Sequence, residues 1–312
     1  MRRFVPLLIA ALTALAVGAP AAGALTIGIA DQKADMFSDV RFQDTGITHA
    51  RLSVPWDALE VPYARQALDE WMQAAHAEGV SPLISFGHSA ANRRKLPTPE
   101  RFLYEFRRFR AAYPWARDFA TWNEANHCGE PTCHRPALVA SYFRKLRVAC
   151  SKCRILGAEL LDMPNMVTWV KAFRHAATVQ PKYWGLHNYL DANRLRTTGT
   201  RRLLAATTGQ IWFTETGGIV SRTNRRKVTF PESTAHAAIA TRWLFDKLVP
   251  LSRRITRVYL YHWNSVRGPK TWDSALIGPS GQPRPAFRVL ERELRAQGLD
   301  RIEAPASSSA AR

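Results

Sequence analysis

Eight short, largely apolar runs, nearly all followed by a stretch of helical periodicity, constrain this chain more than any other feature of it. They fall at residues 25–30, 48–54, 82–86, 118–122, 154–159, 183–187, 210–214 and 256–261. Strand-like runs alternating with helices argue for βα units on a parallel sheet. Eight such units predict a single (β/α)8 barrel across residues 25–300. An open doubly wound sheet is the competitor, but no G-x-G-x-x-G follows the first run, where a dinucleotide fold would want it.

The helices carry their own marks. Ala64, Leu68, Trp71, Met72 and Ala75 make one buried stripe at a 3.6-residue period, and Gly79 supplies the stop. Thr98-Pro99-Glu100 reads as an N-cap, a first-turn proline and a first-turn acid ahead of Phe102, Phe106 and Phe109. Residues 137–149, 166–177, 234–251 and 285–295 complete the helical set.

The ends of the chain read differently. Met1-Arg2-Arg3, an apolar run from Phe4 and the small residues Ala22-Gly23-Ala24 have the three parts of a secretory leader, predicting cleavage after Ala24 and an extracellular or cell-wall-associated product. No later segment reaches the ~20 continuous apolar residues of a membrane helix. Residues 301–312 hold the low-complexity run Ala304-Pro305-Ala306-Ser307-Ser308-Ser309, whose composition cannot form a core and predicts a disordered tail. In an oxidising compartment the cysteines favour two local bridges, Cys128 with Cys133 and Cys150 with Cys153; the alternative of zinc fits no common ligand spacing.

The formal charge of +19 admits a polyanionic partner, yet scattered arginines and 46% hydrophobic content also describe an ordinary globular protein, so nucleic acid is not expected. Two basic clusters, Asn92-Arg93-Arg94-Lys95 and Arg222 with Arg225-Arg226-Lys227, follow the third and seventh strands. They raise the possibility of an anionic substrate against the plainer reading of a solvated surface.

In a barrel, catalytic groups project from the C-terminal strand ends. Here that ring is polar: Asp31, Arg51, His88, Asn123 with Glu124, Glu159, His187 with Tyr189, Glu215, and Trp263 with Asn264. Each has a bland alternative, such as a first-turn helix acid for Glu124 or a turn acid for Glu215. Together they place two carboxyls, at strand ends four and seven, across one mouth. That pairing is what glycosidic-bond cleavage requires, one acid protonated and the other ionised. Arg51 is expected to keep Glu215 ionised, and apolar neighbours such as Trp122 to favour neutral Glu124.

These landmarks resemble the clan A retaining glycoside hydrolases, a group of barrels that includes cellulase-like, β-xylosidase-like and arabinogalactanase-like enzymes. "TWNEAN" is similar to that clan's strand-four Asn-Glu pair and "WFTETGG" to its strand-seven glutamate. Arg51 in "ARLSVPW" resembles the arginine that holds the nucleophile, and His187-Asn188-Tyr189 the strand-six His-x-Tyr. Trp263 in "YHWNS" resembles the tryptophan that floors the sugar subsite, and "TWDSALIGPSGQPRPAF" the loop before the last helix. Ala125 departs from the proline that many members carry after the first glutamate. The resemblance implies Glu124 as acid/base and Glu215 as nucleophile, with Arg51, His88, Trp122, Asn123, His187, Tyr189 and Trp263 around an oligo- or polysaccharide and no metal or cofactor. Among the tryptophans, Trp56, Trp122, Trp263 and Trp272 are expected near the mouth. A non-catalytic glycan- or cell-wall-binding barrel is the alternative.

Overall fold

The computed structural model describes residues 25–223, 229–266 and 272–299. The expected leader, the expected tail and Arg225-Arg226-Lys227 lie outside them. Among the described residues, ten strands and nine α-helices follow in order. They are β1 (Thr26–Ala30), α1 (Val40–Asp44), β2 (His49–Pro55), α2 (Pro62–Ala77), β3 (Ser81–Gly87), α3 (Pro99–Ala112), β4 (Asp118–Ala120), α4 (Pro136–Ala149), β5 (Arg154–Leu161), α5 (Met166–Ala177), β6 (Tyr183–His187), α6 (Tyr189–Asn193), α7 (Thr198–Ala206), β7 (Gln210–Thr216), β8 (Ser221–Arg222), α8 (Thr234–Trp243), β9 (Ile255–Tyr261), β10 (Trp272–Asp273) and α9 (Pro285–Ala296).

Strands β1 to β7 and β9 close into a barrel, each parallel to its neighbours, with β9 returning beside β1 through Thr26–Arg257 to Ala30–Tyr261. The (β/α)8 expectation therefore holds. β8 and β10 form a small antiparallel pair outside the barrel. No described helix is long and apolar enough to cross a membrane.

Alternation along the strands creates two apolar layers. Ala30, Leu83, Ala120, Leu156, Trp212 and Tyr259 point inward and fill the barrel. Outward-facing residues such as Ile84, Phe119 and Phe213 meet the helices in a second, larger core. The α2 stripe is buried as the periodicity requires, and Gly79, at φ 66°, takes the left-handed conformation that stops the helix. Thr98 caps α3 by accepting a hydrogen bond from the Arg101 backbone N–H at 3.1 Å. The long helix expected over 234–251 is α-helical only to Trp243, after which the chain widens into a π turn at Leu244–Leu248 and a 3-10 turn at Val249–Leu251, where Pro250 lacks the N–H an α-helix needs.

β4 is shorter than its apolar run. The ladder ends at Ala120, and the next four residues bend, so the alternation that should turn Trp122 inward no longer governs it. The two bridges Cys128–Cys133 and Cys150–Cys153 are both formed, with the first spanning the loop beyond this bend. Sulfurs committed to each other are not zinc ligands, so the zinc alternative is set aside for these residues.

After β7, Gly217 at φ 145° adopts a backbone that L side chains rarely take, and a Cβ on Gly218 would run into the Ala237 backbone of α8. The glycine pair thus lets the chain leave the barrel rim tightly against α8. Gly218→Ala should lower unfolding free energy by about 1–3 kcal/mol through overpacking against rigid backbone; an unchanged denaturant midpoint would contradict this account.

Candidate active site

The site begins with a buried cation. Arg51, 2% exposed, projects from β2 into the top of the barrel. Its Nε donates to Glu159 Oε1 at 2.8 Å and its Nη2 to Glu159 Oε2 at 2.5 Å, a bidentate pair with a fully buried carboxylate on β5. Nη1 donates to Glu215 Oε2 at 3.0 Å and Nη2 to Asn123 Oδ1 at 2.7 Å. Ser85 adds a hydroxyl donor to Glu159 at 2.5 Å. One guanidinium fork thus binds residues from the ends of β5 and β7 and from the bend after β4, which is what its rigid set of five donors suits. Burial alone pushes Glu159 up, but Arg51's charge and hydrogen bonds hold it well below the usual carboxylate range.

Glu124 follows the bend after β4. Its φ of 43° lies in the left-handed region, a cost of order 1–3 kcal/mol for a non-glycine residue. The turn is secured by the Ala125 N–H to Glu159 O at 2.9 Å and by Asn126, whose side chain exchanges two hydrogen bonds with the Leu161 backbone. The carboxyl then faces two imidazoles, with His187 Nδ1 at 3.1 Å from Oε1 and His127 Nδ1 at 3.4 Å from Oε2.

Burial pushes the Glu124 carboxyl up, but hydrogen bonds from His127 and His187 outweigh it and hold the group at about 2. His187 answers in the opposite direction. Burial pulls it down, whereas the charge of Glu215 and hydrogen bonds to Glu124 and Glu159 raise it to about 9. The resting pair is therefore imidazolium and carboxylate. This corrects the expectation that Trp122 keeps Glu124 neutral: Trp122 is fully buried on the helix side, stacked on Tyr142 at 5.9 Å, with its indole N–H donating to Glu130.

Glu215, on β7, completes the set. Its Oε1 accepts from the Tyr189 hydroxyl at 2.9 Å and its Oε2 from Arg51. One oxygen of Glu124, one of Glu215 and a ring nitrogen of His187 all lie within 4.8 Å of one another. Both glutamates open onto one cleft of ≈ 400 Å³, lined also by His127, Leu161, Asp162, Met163, Tyr189, Leu190, Arg222, Phe230, Tyr261 and Trp272. Two opposed carboxylates over one cavity can act as a nucleophile and proton-transfer pair at a single carbon centre.

Among the expected substrate contacts, Tyr189 lines the cleft, while Arg51, Asn123 and His187 stand behind the carboxylates. His88, Trp122 and Trp263 lie elsewhere. His88 is tied to Glu130 at 3.1 Å, beside the disulfide loop. Trp263 is fully buried against Phe42 and Phe287, and its indole N–H donates to Asp39. β9 ends at Tyr261, so the inward alternation of Tyr259 and Tyr261 stops one step before Trp263, and Tyr261 takes the place expected of the tryptophan. Of the tryptophans expected near the mouth, Trp272 lines the cleft, while Trp56 is buried with its indole donating to Lys95 O.

His127 and Tyr261 were legible as polar residues beside the landmarks, but His127 is aimed by the turn after β4 and Tyr261 by the alternation of β9. Glu159 had a clearer signal: a carboxylate inside the apolar run "ILGAELL" requires a buried partner.

No protein-family profile matches this sequence, and no curated protein matches it. Many solved structures share the fold. One is a β-glucuronidase from an uncultured Clostridium species, 11% identical, with a TM-score of 0.58 over 88% of this chain and 50% of that one. Another is xylanase 10B from Thermotoga petrophila, solved with xylobiose, 12% identical, with a TM-score of 0.62 over 88% of this chain and 94% of that one. A third is a family 39 glycoside hydrolase from Bacteroides cellulosilyticus, 14% identical, with a TM-score of 0.54 over 90% and 64%. The chain spans about half the length of the β-glucuronidase and under two thirds of the family 39 structure.

Two measurements check this site. Arg51→Met leaves Glu159 buried without its partner and should destabilise the fold by about 3–5 kcal/mol, read by denaturant unfolding. His187, raised in the folded state from 6.5 to about 9, contributes stability that is complete below pH 6.5 and lost as the pH rises through about 9. Unfolding at pH 6 and pH 10 should show that loss, and His187→Asn should diminish it.

Proposed function

We propose that this protein is a secreted glycoside hydrolase that cleaves an O-glycosidic bond with retention of configuration. The observation that carries the reading is the meeting of Glu124 and Glu215 over one cleft, with carboxylate oxygens within 4.8 Å. That spacing suits a retaining pair, about 5–5.5 Å between carboxyl groups, and leaves too little room for the water an inverting enzyme places at about 6.5–9.5 Å. The glycosidases among the structures that share the fold add support. The leader read in the sequence and the two disulfides support export.

In the first step a Glu215 oxygen attacks the anomeric carbon while the bond to the leaving oxygen breaks. The electron pair departs with that oxygen, which takes a proton from Glu124. In the second step Glu124 removes a proton from water, whose oxygen displaces Glu215 and restores its carboxylate. Tyr189 and Arg51 hold Glu215 in place. Because Arg51 donates to the Asn123 amide oxygen, the amide N–H groups are directed away from it and can donate to a sugar hydroxyl.

The proton has an unusual source in this reading. Glu124 is ionised at rest, and the proton it must deliver is held on the neighbouring His187 imidazolium, 3.1 Å away, and passes to the carboxyl as the leaving group develops charge.

An acidic substituent on the glycan is the finer part of the proposal, resting on Arg222 in the cleft wall. Its guanidinium also binds Glu232 at 2.9 Å and lies 4.4 Å from the Phe230 ring, so an acidic sugar would share a cation already held in position. Rates on neutral and uronate-bearing aryl glycosides at several salt concentrations test this; equal, salt-independent rates would remove it.

Glu215→Gln and Glu124→Gln should each lower kcat on an aryl glycoside by at least ~100-fold when the leaving group is poor. With a 2,4-dinitrophenyl leaving group, which needs no acid, the first step in Glu124→Gln should be spared. Unchanged turnover in both variants would exclude these roles, and no turnover by the unsubstituted protein would favour the non-catalytic glycan-binding alternative. The pH dependence of kcat/KM should fall on its basic side near pH 9, and His187→Asn should move that limb toward the ordinary carboxyl range. A basic limb indifferent to His187 would refute the proton source.

A further inference from the structure

We infer that the leaving group this cleft accepts is an apolar alcohol, an aryl or alkyl aglycone, and not a second sugar. The inference rests on the acid/base role proposed for Glu124. That role fixes the polarity of the cleft, because the departing oxygen must lie against Glu124 while Glu215 reaches the anomeric carbon from the opposite face.

The aliphatic lining of the cleft comes from the ends of β5 and β6 and is tied by hydrogen bonds to the turn that carries Glu124. Leu161 is joined to the Glu124 turn through Asn126, which accepts from the Leu161 N–H at 2.8 Å and donates to its carbonyl at 2.9 Å. Met163 follows, its N–H donating to Leu161 O at 2.7 Å. Leu190, at the start of α6, is tied to the residue between them, its N–H donating to Asp162 at 3.2 Å. Leu161, Met163 and Leu190 are all half-buried and open to the cleft.

Among the described residues, the polar groups beside these three side chains are engaged with one another. Leu161 is bound by Asn126 at both its N–H and its carbonyl, and the Asp162 carboxylate accepts the Leu190 and Asp191 N–H groups at 3.2 and 2.9 Å. The polar side chain beside them, His127, faces Glu124. A sugar here would bury several hydroxyls against methyl and thioether groups with few partners, a cost of about 1–3 kcal/mol for each one left unpaired. Leucine and methionine also lack the flat face on which a sugar ring stacks. An alkyl or aryl group incurs no such cost and gains from leaving water.

The residues linked to Glu215 have the contrary character. Tyr189 donates to it, Trp272 packs on Tyr189 at 4.8 Å, Arg222 lies 5.9 Å from the Trp272 ring, and Tyr261 lines the same cleft. The glycone has a polar and aromatic seat; the leaving group has an aliphatic one.

The test uses the whole mature protein. A panel of 2,4-dinitrophenyl glycosides (β-glucoside, β-xyloside, β-galactoside, β-mannoside, β-glucuronide and α-arabinofuranoside) first identifies the sugar turned over. Methyl, n-butyl and n-hexyl glycosides of that sugar, which differ little in leaving-group basicity, are then compared with a disaccharide of it. The expected result is a kcat/KM that rises at least ~10-fold from methyl to hexyl and exceeds that for the disaccharide. Met163→Gln and Leu190→Gln should each reduce the hexyl-to-methyl ratio by about threefold or more. If either fails to fold, the series on the unsubstituted protein decides. A flat series, or faster cleavage of the disaccharide, overturns the inference and leaves the hydrolase reading standing. Failure to cleave any dinitrophenyl glycoside overturns both.

Discussion

One guanidinium organises the top of this barrel. Arg51 is buried where an isolated cation could not be sustained, and it is tolerated because Glu159 meets it with both oxygens and Glu215 and Asn123 take its remaining donors. The consequence is geometric as much as energetic. Groups from β5, from β7 and from the bend after β4 are pinned to a rigid fork on β2, so Glu215 and the residue before Glu124 are held by a single planar group. Hydrophobic packing holds the strands together, but it has no comparable power to set the direction of an exposed carboxylate.

A second layer of control comes from His187. Standing between Glu124, Glu159 and Glu215, it gathers enough negative charge to remain an imidazolium despite full burial, and together with His127 it holds the Glu124 carboxyl below its ordinary range. Three carboxylates, a guanidinium and an imidazolium form one coupled set. Proton position within that set is a property of the group and not of any single residue. Under the proposed mechanism, an acid/base carboxyl is supplied with a proton without itself having a raised affinity for one, a different solution from placing it in an apolar pocket.

The parts of the chain that spoke plainly were those where local pattern and tertiary environment agree. The apolar runs marked eight strands, and β6 and α5 came out with the ends their patterns suggested. The α2 stripe needed only the helical period, and the Thr98 cap only its own side chain. The pairs at 128/133 and 150/153 are so close in sequence that local bridging is geometrically cheap. The ring of polar residues at strand ends was likewise visible, because in a closed parallel barrel the C-terminal ends share one face.

What remained hidden was side-chain direction wherever a strand stops. Trp122 and Trp263 sit beyond the last paired residue of β4 and β9, where alternation no longer applies, and both turn into the helix-side core. His127 gained the cleft by the same freedom, whereas Tyr261, still paired with Ala30 on β1, reaches it by strand alternation. The sequence by itself determined that this chain would close eight parallel strands and carry acidic groups to one rim, since those outcomes follow from periodicity and charge read along the chain. Only the tertiary structure decided that Glu124 would rest ionised between two histidines and that Glu159 would share Arg51 with Glu215. It alone brought Tyr189, Tyr261 and Trp272 together with Leu161, Met163 and Leu190 around one cleft. Each of these depends on distances between residues far apart in the chain, which no local pattern encodes.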